Sequence, residues 1–346
     1  MLYTKNFIEK VENTQDIYIK SYVKKHNFIK LVEFLRPSVS DIPFIFDTRK
    51  FKKLFDDDKA FSKFRDRLLD CGSYLTFRYY YRKDETKLHT ANFCKADRLC
   101  PACAVRRAYK QQMKFMKSLK VNPDLLNKRW YYIVIPVKHT KNESLLVVYN
   151  RLNRIRRSIT HSIRNKRGFW GQFDGGMGSI EVTKTRNGWN VHMNLIVCSD
   201  IDIPVQEIIT KDKRGNYKKN YVSEALKSFL MKVGEGSYIH NISKLDFSSE
   251  ELIRDNLVEV LKYSLKFSSL KNEDLLIVYL EFYRKQLFFT FGVMRGLNLE
   301  DVELEGDEII DDEFVEVIYR RVGLTYEKEF ERINKGVKDE LSDTCL

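Results

Sequence analysis

The sequence predicts an α+β protein: an antiparallel-sheet domain joined to a cysteine-rich module and a helical N-terminal region. Three observations carry that expectation. The stretch "EVTKTRNGWNVHMNLIV", residues 181–197, alternates polar and apolar residues around Asn187-Gly188, a strong two-residue turn signal. Four of the six cysteines lie close together, at positions 71, 94, 100 and 103. Residues 144–168 and 251–270 repeat apolar side chains at the helical period.

Along the chain, residues 1–70 read as mostly helical, with "DIPF" as a break and no chemical motif. Residues 71–124 hold the cysteines and run into the basic helix "VRRAYKQQMKFMKSL". Residues 125–295 supply the sheet, with strands expected at 130–138, 179–185, 190–198 and 286–293 and helices 144–166 and 251–268 packed on it. Residues 210–225 are a basic excursion between these elements. Residues 296–346 are expected to form an acidic C-terminal tail that becomes helical.

Composition narrows the function classes. A chain of 346 residues with 43% hydrophobic and 13% aromatic content can bury a real core. No apolar run of membrane-spanning length occurs, and "MLYTKNFIEKVEN" lacks the apolar region of a secretory signal, so a cytoplasmic chain is expected. Cys345 sits one place from the end, which is wrong for prenylation. The formal charge is +13, although residues 300–316 contain 10 acidic and no basic residues. The remainder is thus more basic still. That suits a polyanionic partner, nucleic acid before membrane, although a merely lysine-rich soluble protein would read the same way.

Cys100-Pro-Ala-Cys103 has the spacing of a zinc knuckle. Cys94 lies six residues earlier and Cys71 can complete a tetrahedral four-sulfur site, with His89 as an alternative fourth ligand. A CxxC pair alone also suits redox chemistry or a disulfide, but thiols kept reduced are available to metal. Within this module "FRYYYR", residues 77–82, is either a base-stacking run or, more simply, a strand covering the metal site. Cys198 is expected to be a small buried side chain on a strand.

A turn at Asn187-Gly188 would pair Thr183 with His192 and Glu181 with Asn194. Side chains alternate along a strand, so Glu181, Thr183, His192 and Asn194 share one face while Val182, Val191, Met193 and Leu195 take the other. Opposed Cβ atoms lie about 5 Å apart, which brings a carboxylate, an imidazole and an amide together as a possible metal site. In "ELIRDNLVEVLKYSLKFSSL", residues 251–270, Ile253, Leu257, Leu261 and Leu265 form the apolar stripe. Glu259, Tyr263 and Lys266 occupy another face, with Lys262 beside them. Alone, these could be a surface tyrosine and an ordinary ion pair.

Taken together, the motifs resemble the rolling-circle plasmid replication initiators of the HUH endonuclease superfamily, of the single-tyrosine Gram-positive-plasmid type. The resemblance runs through "ANFCKADRLCPACAVRR", "YYIVIPVKHTKN", "GGMGSIEVT", "WNVHMNLIV", "EVLKYSLK" and "RKQLFFTFG", covering about residues 71–293 in the family's order. The departure is Asn194: the family expects His-hydrophobic-His and this chain has His192-Met193-Asn194. Related viral initiators place Gln there, and Mg²⁺ and Mn²⁺ accept amide oxygen.

The resemblance implies a metal-dependent nickase acting on single-stranded or hairpin DNA at a plasmid origin. His192, Asn194 and Glu181 would bind Mg²⁺ or Mn²⁺, and Cys71, Cys94, Cys100 and Cys103 would bind structural Zn²⁺. Tyr263 would be the nucleophile that forms a 5′-phosphotyrosine bond and leaves a 3′-OH primer for host polymerase, with host helicase as a further partner. Lys266 would stabilise the phenolate, Lys262 would assist at the DNA, and Glu259 would activate water for the last cleavage. Arg154 and Arg157, on the basic helix 144–168, would bind DNA phosphates, unless that face is simply solvated. Competing readings are a zinc-containing DNA-binding regulator with a degenerate nuclease site, and a related relaxase or transposase.

Overall fold

The computed structural model describes residues 3–36, 57–211, 217–234, 241–261, 270–282, 285–295 and 314–334. The protein is α+β. It divides into two compact units: Met1–Ala104 with Glu303–Leu346, and Val105–Val302.

In the first unit, helix α1 (Lys5–Leu35) starts at Thr4, whose side chain accepts from the Phe7 amide. Helix α2 (Asp58–Asp70) is capped in the same way by Asp57 and ends at Cys71. Strands β1 (Tyr74–Tyr80) and β2 (Glu85–Ala91) follow. They belong to a four-stranded sheet whose order is β11-β10-β1-β2, where β10 is Phe314–Val322 and β11 is Thr325–Asn334. The expected helical end of the acidic tail is therefore corrected: residues 314–334 are a β-hairpin, paired antiparallel to β1. The cause is legible in "FVEVIYRRVG", rich in β-branched and aromatic residues and closed by Gly323 at φ +63°. Most of the acidic stretch 300–316 lies outside the described residues.

An ion-pair bridge fixes the register of this sheet. Glu316, 5% exposed, is opposite Arg78 and bonded to it at 3.1 Å, and it also meets Arg332 at 2.8 Å. Arg78 covers the Phe314 ring, and Phe77, Tyr79 and Tyr80 are buried. The "FRYYYR" run thus builds strand and core.

The second unit is a five-stranded antiparallel sheet with order β8-β3-β5-β4-β9. Its strands are β3 (Arg129–Pro136), β4 (Gly175–Thr185), β5 (Gly188–Ser199), β8 (Asn241–Leu245) and β9 (Phe288–Gly292). Strands β6 (Gln206–Lys211) and β7 (Tyr217–Val222) form a separate two-stranded ribbon from the basic excursion.

Helix α5 (Leu145–Arg164) buries Leu145, Val148, Leu152, Ile155, Ile159 and Ile163. Full burial of each such side chain contributes about 1.5–3 kcal/mol. The helix covers the sheet face that carries Met193, Leu195 and Phe289, and Arg156 caps the Phe289 ring at 4.9 Å. The other face carries Trp130 and Tyr132. Helix α3 (Pro101–Val121) sends Phe115 against Trp130, which stacks on Phe247 at 5.1 Å. Helix α7 (Glu250–Leu261) begins just beyond Phe247 and lies against β4 and β5, with Ile253 and Leu257 buried as the apolar stripe requires. The short helices α4 (Pro123–Leu126), α6 (Glu224–Lys232) and α8 (Asn272–Glu281) complete the unit.

Candidate functional site

The hairpin forms, but two residues out of the expected register. Thr185 pairs with Gly188, so Arg186 and Asn187 make the turn; Glu181 opposes His192, and Ser179 opposes Asn194. A turn centred on Asn187-Gly188 needs two successive residues at positive φ. Here only Gly188 takes one, at +103°, and a side chain there would strike the Thr140 carbonyl. A slip of two leaves every side chain on its expected face. Glu181, His192 and Asn194 therefore still share a face, while Val182, Val191, Met193 and Leu195 are fully buried on the other.

On the polar face Glu181 is 4% exposed and Asn194 2%, while the His192 side chain is partly open. His192 Nε2 lies 3.0 Å from Glu181 Oε2, and Asn194 Nδ2 donates to the same oxygen at 3.2 Å. The Tyr132 hydroxyl donates to Asn194 Oδ1 at 2.9 Å. Sequence reasoning passed over Tyr132. The signal was its place in β3, which pairs Val134 with Asn194 and so puts Tyr132 on the polar face.

A carboxylate, an imidazole and an amide oxygen are donor types that suit a hard divalent ion such as Mg²⁺ or Mn²⁺; here the Asn194 amide turns its nitrogen to Glu181 and its oxygen to Tyr132. The Asn194 oxygen keeps a second lone pair after accepting from Tyr132. Of the nucleophile helix, Glu259 falls in the last turn of α7. Tyr263, Lys262 and Lys266 lie outside the described residues.

The four cysteines converge in the first unit. Cys71 Sγ is 3.7 Å from both Cys100 Sγ and Cys103 Sγ, and Cys94 Sγ is 3.5 Å from Cys103 Sγ. All four are buried and none is in a disulfide. A tetrahedron of sulfurs about 2.3 Å from a central Zn²⁺ has edges of about 3.8 Å, so the spacing fits zinc. Among the described residues this is the one cluster of three or more Cys, His or acidic side chains able to share an ion. Cys71, rather than His89, is its fourth member.

Neighbouring sulfurs dominate the chemistry of the cluster. Hydrogen bonding from Cys100 and the other two thiols holds Cys71 far below the usual thiol range, and a hydrogen bond from Cys103 lowers Cys100. The remaining pair, Cys94 and Cys103, is pushed up by its bonds to Cys100.

Local structure positions Cys71. Gly72 (φ +73°) turns the chain from α2 into β1, where a side chain would enter the Tyr18 ring. Asn92 closes that turn, donating to Asp70 Oδ2 at 2.5 Å and to Ser73 Oγ at 2.7 Å. From the C-terminal hairpin, Arg321 donates to the Leu69 carbonyl at 2.7 Å and Tyr326 to that of Gly72. Cys198 behaves as expected: buried on β5, its thiol is pushed up to about 12 by burial.

The basic helix α5 exposes Arg154 and Arg157. Among the described residues neither guanidinium has an ion-pair partner. Arg154 and Arg151 line a cavity of about 330 Å³ with Ile155, Val233 and Gly234. Because α5 covers the apolar face, these arginines sit behind the sheet from His192. No helix among the described residues is long and apolar enough to cross a membrane.

The chain is similar to three proteins named "Protein rep". One from a Bacillus species is 26% identical over 169 residues, 48% of each chain. One from Bacillus amyloliquefaciens is 27% identical over 169 residues, 48% of this chain and 44% of that one. The third, from Staphylococcus aureus, is 25% identical over 134 residues, 38% of this chain and 56% of the relative. The chain thus spans about half the length of the curated relatives it matches. No family model and no solved structure matches it.

Proposed function

We propose that this protein initiates plasmid replication in the cytoplasm by nicking and rejoining one DNA strand at the origin, as the HUH resemblance implies. The similarity to proteins named "Protein rep" supports the initiator role. The observation that carries the nicking chemistry is the convergence of Glu181, His192 and Asn194 on one face of the β4–β5 hairpin.

In this reading Glu181, His192 and Asn194 would hold a divalent ion on the polar face of the hairpin. Mg²⁺ or Mn²⁺ held there would supply Lewis-acid polarisation of the scissile phosphate. Tyr263 Oη bonds to phosphorus while the bond to the 3′ oxygen breaks. The phenol gives up its proton, and the departing oxygen takes one to become the 3′-OH. An ordinary phenol ionises near pH ~10, so the Lys266 ammonium favours its anion. Glu259 deprotonates water for the final cleavage, which lets an enzyme with one such tyrosine stop after one round. Arg154, Arg157 and Lys262 hold phosphates of the origin, host polymerase extends the released 3′-OH, and host helicase separates the strands ahead of it.

The test is a covalent adduct. Full-length protein is incubated with a single-stranded origin hairpin and Mn²⁺, then run on a denaturing gel. Tyr263→Phe should lower adduct formation by at least about 10³-fold with zinc content and DNA binding unchanged. An adduct that survives this change refutes the assignment. Origin binding with no adduct from the unaltered chain would favour the second reading, a zinc-containing DNA-binding regulator. The amide at position 194, where the family has an imidazole, is what keeps that reading in play.

A further inference from the structure

Helix α1 carries a charge where its core face should be apolar. Tyr18, Ser21, Lys25, Phe28, Ile29 and Val32 all point inward and are buried. Lys25 is 1% exposed. Its Nζ donates to the Cys71 carbonyl oxygen at 3.3 Å, and the described residues offer it no carboxylate partner. An ammonium withdrawn from water is costly unless negative charge compensates it.

The adjacent cluster supplies that charge. A dication held by four thiolates is left with excess negative charge, and Cys71 is one of the four. One turn before Lys25, Ser21 Oγ accepts from the Ala102 amide at 3.0 Å, inside the Cys100-Pro-Ala-Cys103 turn. Helix α1 therefore touches both parts of the ligand set: Lys25 meets the segment of Cys71, and Ser21 meets the knuckle.

We propose that Lys25 is the internal counter-ion of the Cys71/Cys94/Cys100/Cys103 metal centre, so that docking of α1 and retention of the metal form one equilibrium. This rests on the reading that the four cysteines hold zinc. Lys25 is a positioning residue here, since it acts on the ion through its ligands. With metal present, ammonium and tetrathiolate neutralise each other in a dry interior. With metal removed, the lysine loses its compensation and the inner face of α1 is destabilised.

The experiment uses the full chain as wild type, Lys25→Met and Lys25→Arg. Zinc affinity is measured by competition with a colorimetric chelator, and thermal melting is recorded with zinc and after its removal. Lys25→Met should bind zinc about 10–100-fold more weakly, the usual scale for a group that supports metal ligands. Its zinc-free form should melt no lower than zinc-free wild type, because methionine is buried there without a charge. Lys25→Arg should release zinc more slowly than Lys25→Met. Equal zinc affinity in Lys25→Met and wild type would overturn the proposal. So would the reverse order of the two variants, or a Lys25→Met chain destabilised equally (or unfolded) with and without zinc. A wild-type chain that takes up no zinc would sink the metal centre itself, and the role of Lys25 with it.

Discussion

The cysteine cluster and the polar face of the β4–β5 hairpin are both places where a cation could sit, and they are built in opposite ways. The cluster is closed: four like ligands, all buried, with a helix end, a strand turn and a two-residue knuckle locking them. The hairpin patch brings together three unlike groups, and its imidazole is only partly covered. A closed, uniform shell holds an ion for the sake of the fold, whereas an incomplete shell leaves coordination positions for a substrate. Two binding strengths and two kinds of consequence follow.

Chelation should separate the two regions most sharply. Brief EDTA treatment is expected to abolish nicking completely and reversibly, with recovery on adding Mn²⁺ or Mg²⁺, while zinc stays bound. Parallel assays of nicking and zinc content check this, and simultaneous loss of both would erase the distinction. A smaller effect should come from Tyr132→Phe, which removes the hydroxyl that holds the Asn194 oxygen. The Mn²⁺ concentration for half-maximal nicking should rise about 10-fold with zinc content unchanged; an unmoved titration would leave Tyr132 as packing only. The mildest effect belongs to the helix behind the sheet. Arg154→Ala and Arg157→Ala should each flatten the slope of log affinity against log salt by about 1, with single-turnover nicking on saturating DNA unaltered. A change in the nicking rate instead would move those arginines to the reacting strand.

What could be read beforehand follows from how local each signal is. The shared face of Glu181, His192 and Asn194 was legible because strand periodicity is two, and a slip of two residues does not disturb it. The exact register was not legible, because turn geometry at Gly188 decided it. The cysteines announced themselves by type and spacing, and geometry then chose Cys71 over His89. Lys25 was visible only as a lysine out of place on an apolar stripe; its meaning depends on Cys71, 46 residues away in sequence. Tyr132 likewise needed the β3–β5 pairing. The C-terminal strands were missed because the acidic run before them dominated the reading, and because β10 buries Phe314, Val315, Glu316 and Val317 in succession and so shows no polar–apolar alternation. The catalytic roles of Tyr263, Glu259 and Lys266 rest on the resemblance alone.

The first unit is assembled from two stretches, Met1–Ala104 and Glu303–Leu346, with Val105–Val302 lying between them in the sequence. A ribosome makes β1 and β2 before the other sheet and β10 and β11 after it, so while Val105–Val302 is being made that sheet has only two of its four strands. All five strands of the other sheet have been synthesised before β10 is made. Domains usually fold in the order they emerge; here the sheet bearing Glu181 and His192 can close first, and the brace around Cys71 waits for Arg321 and Tyr326.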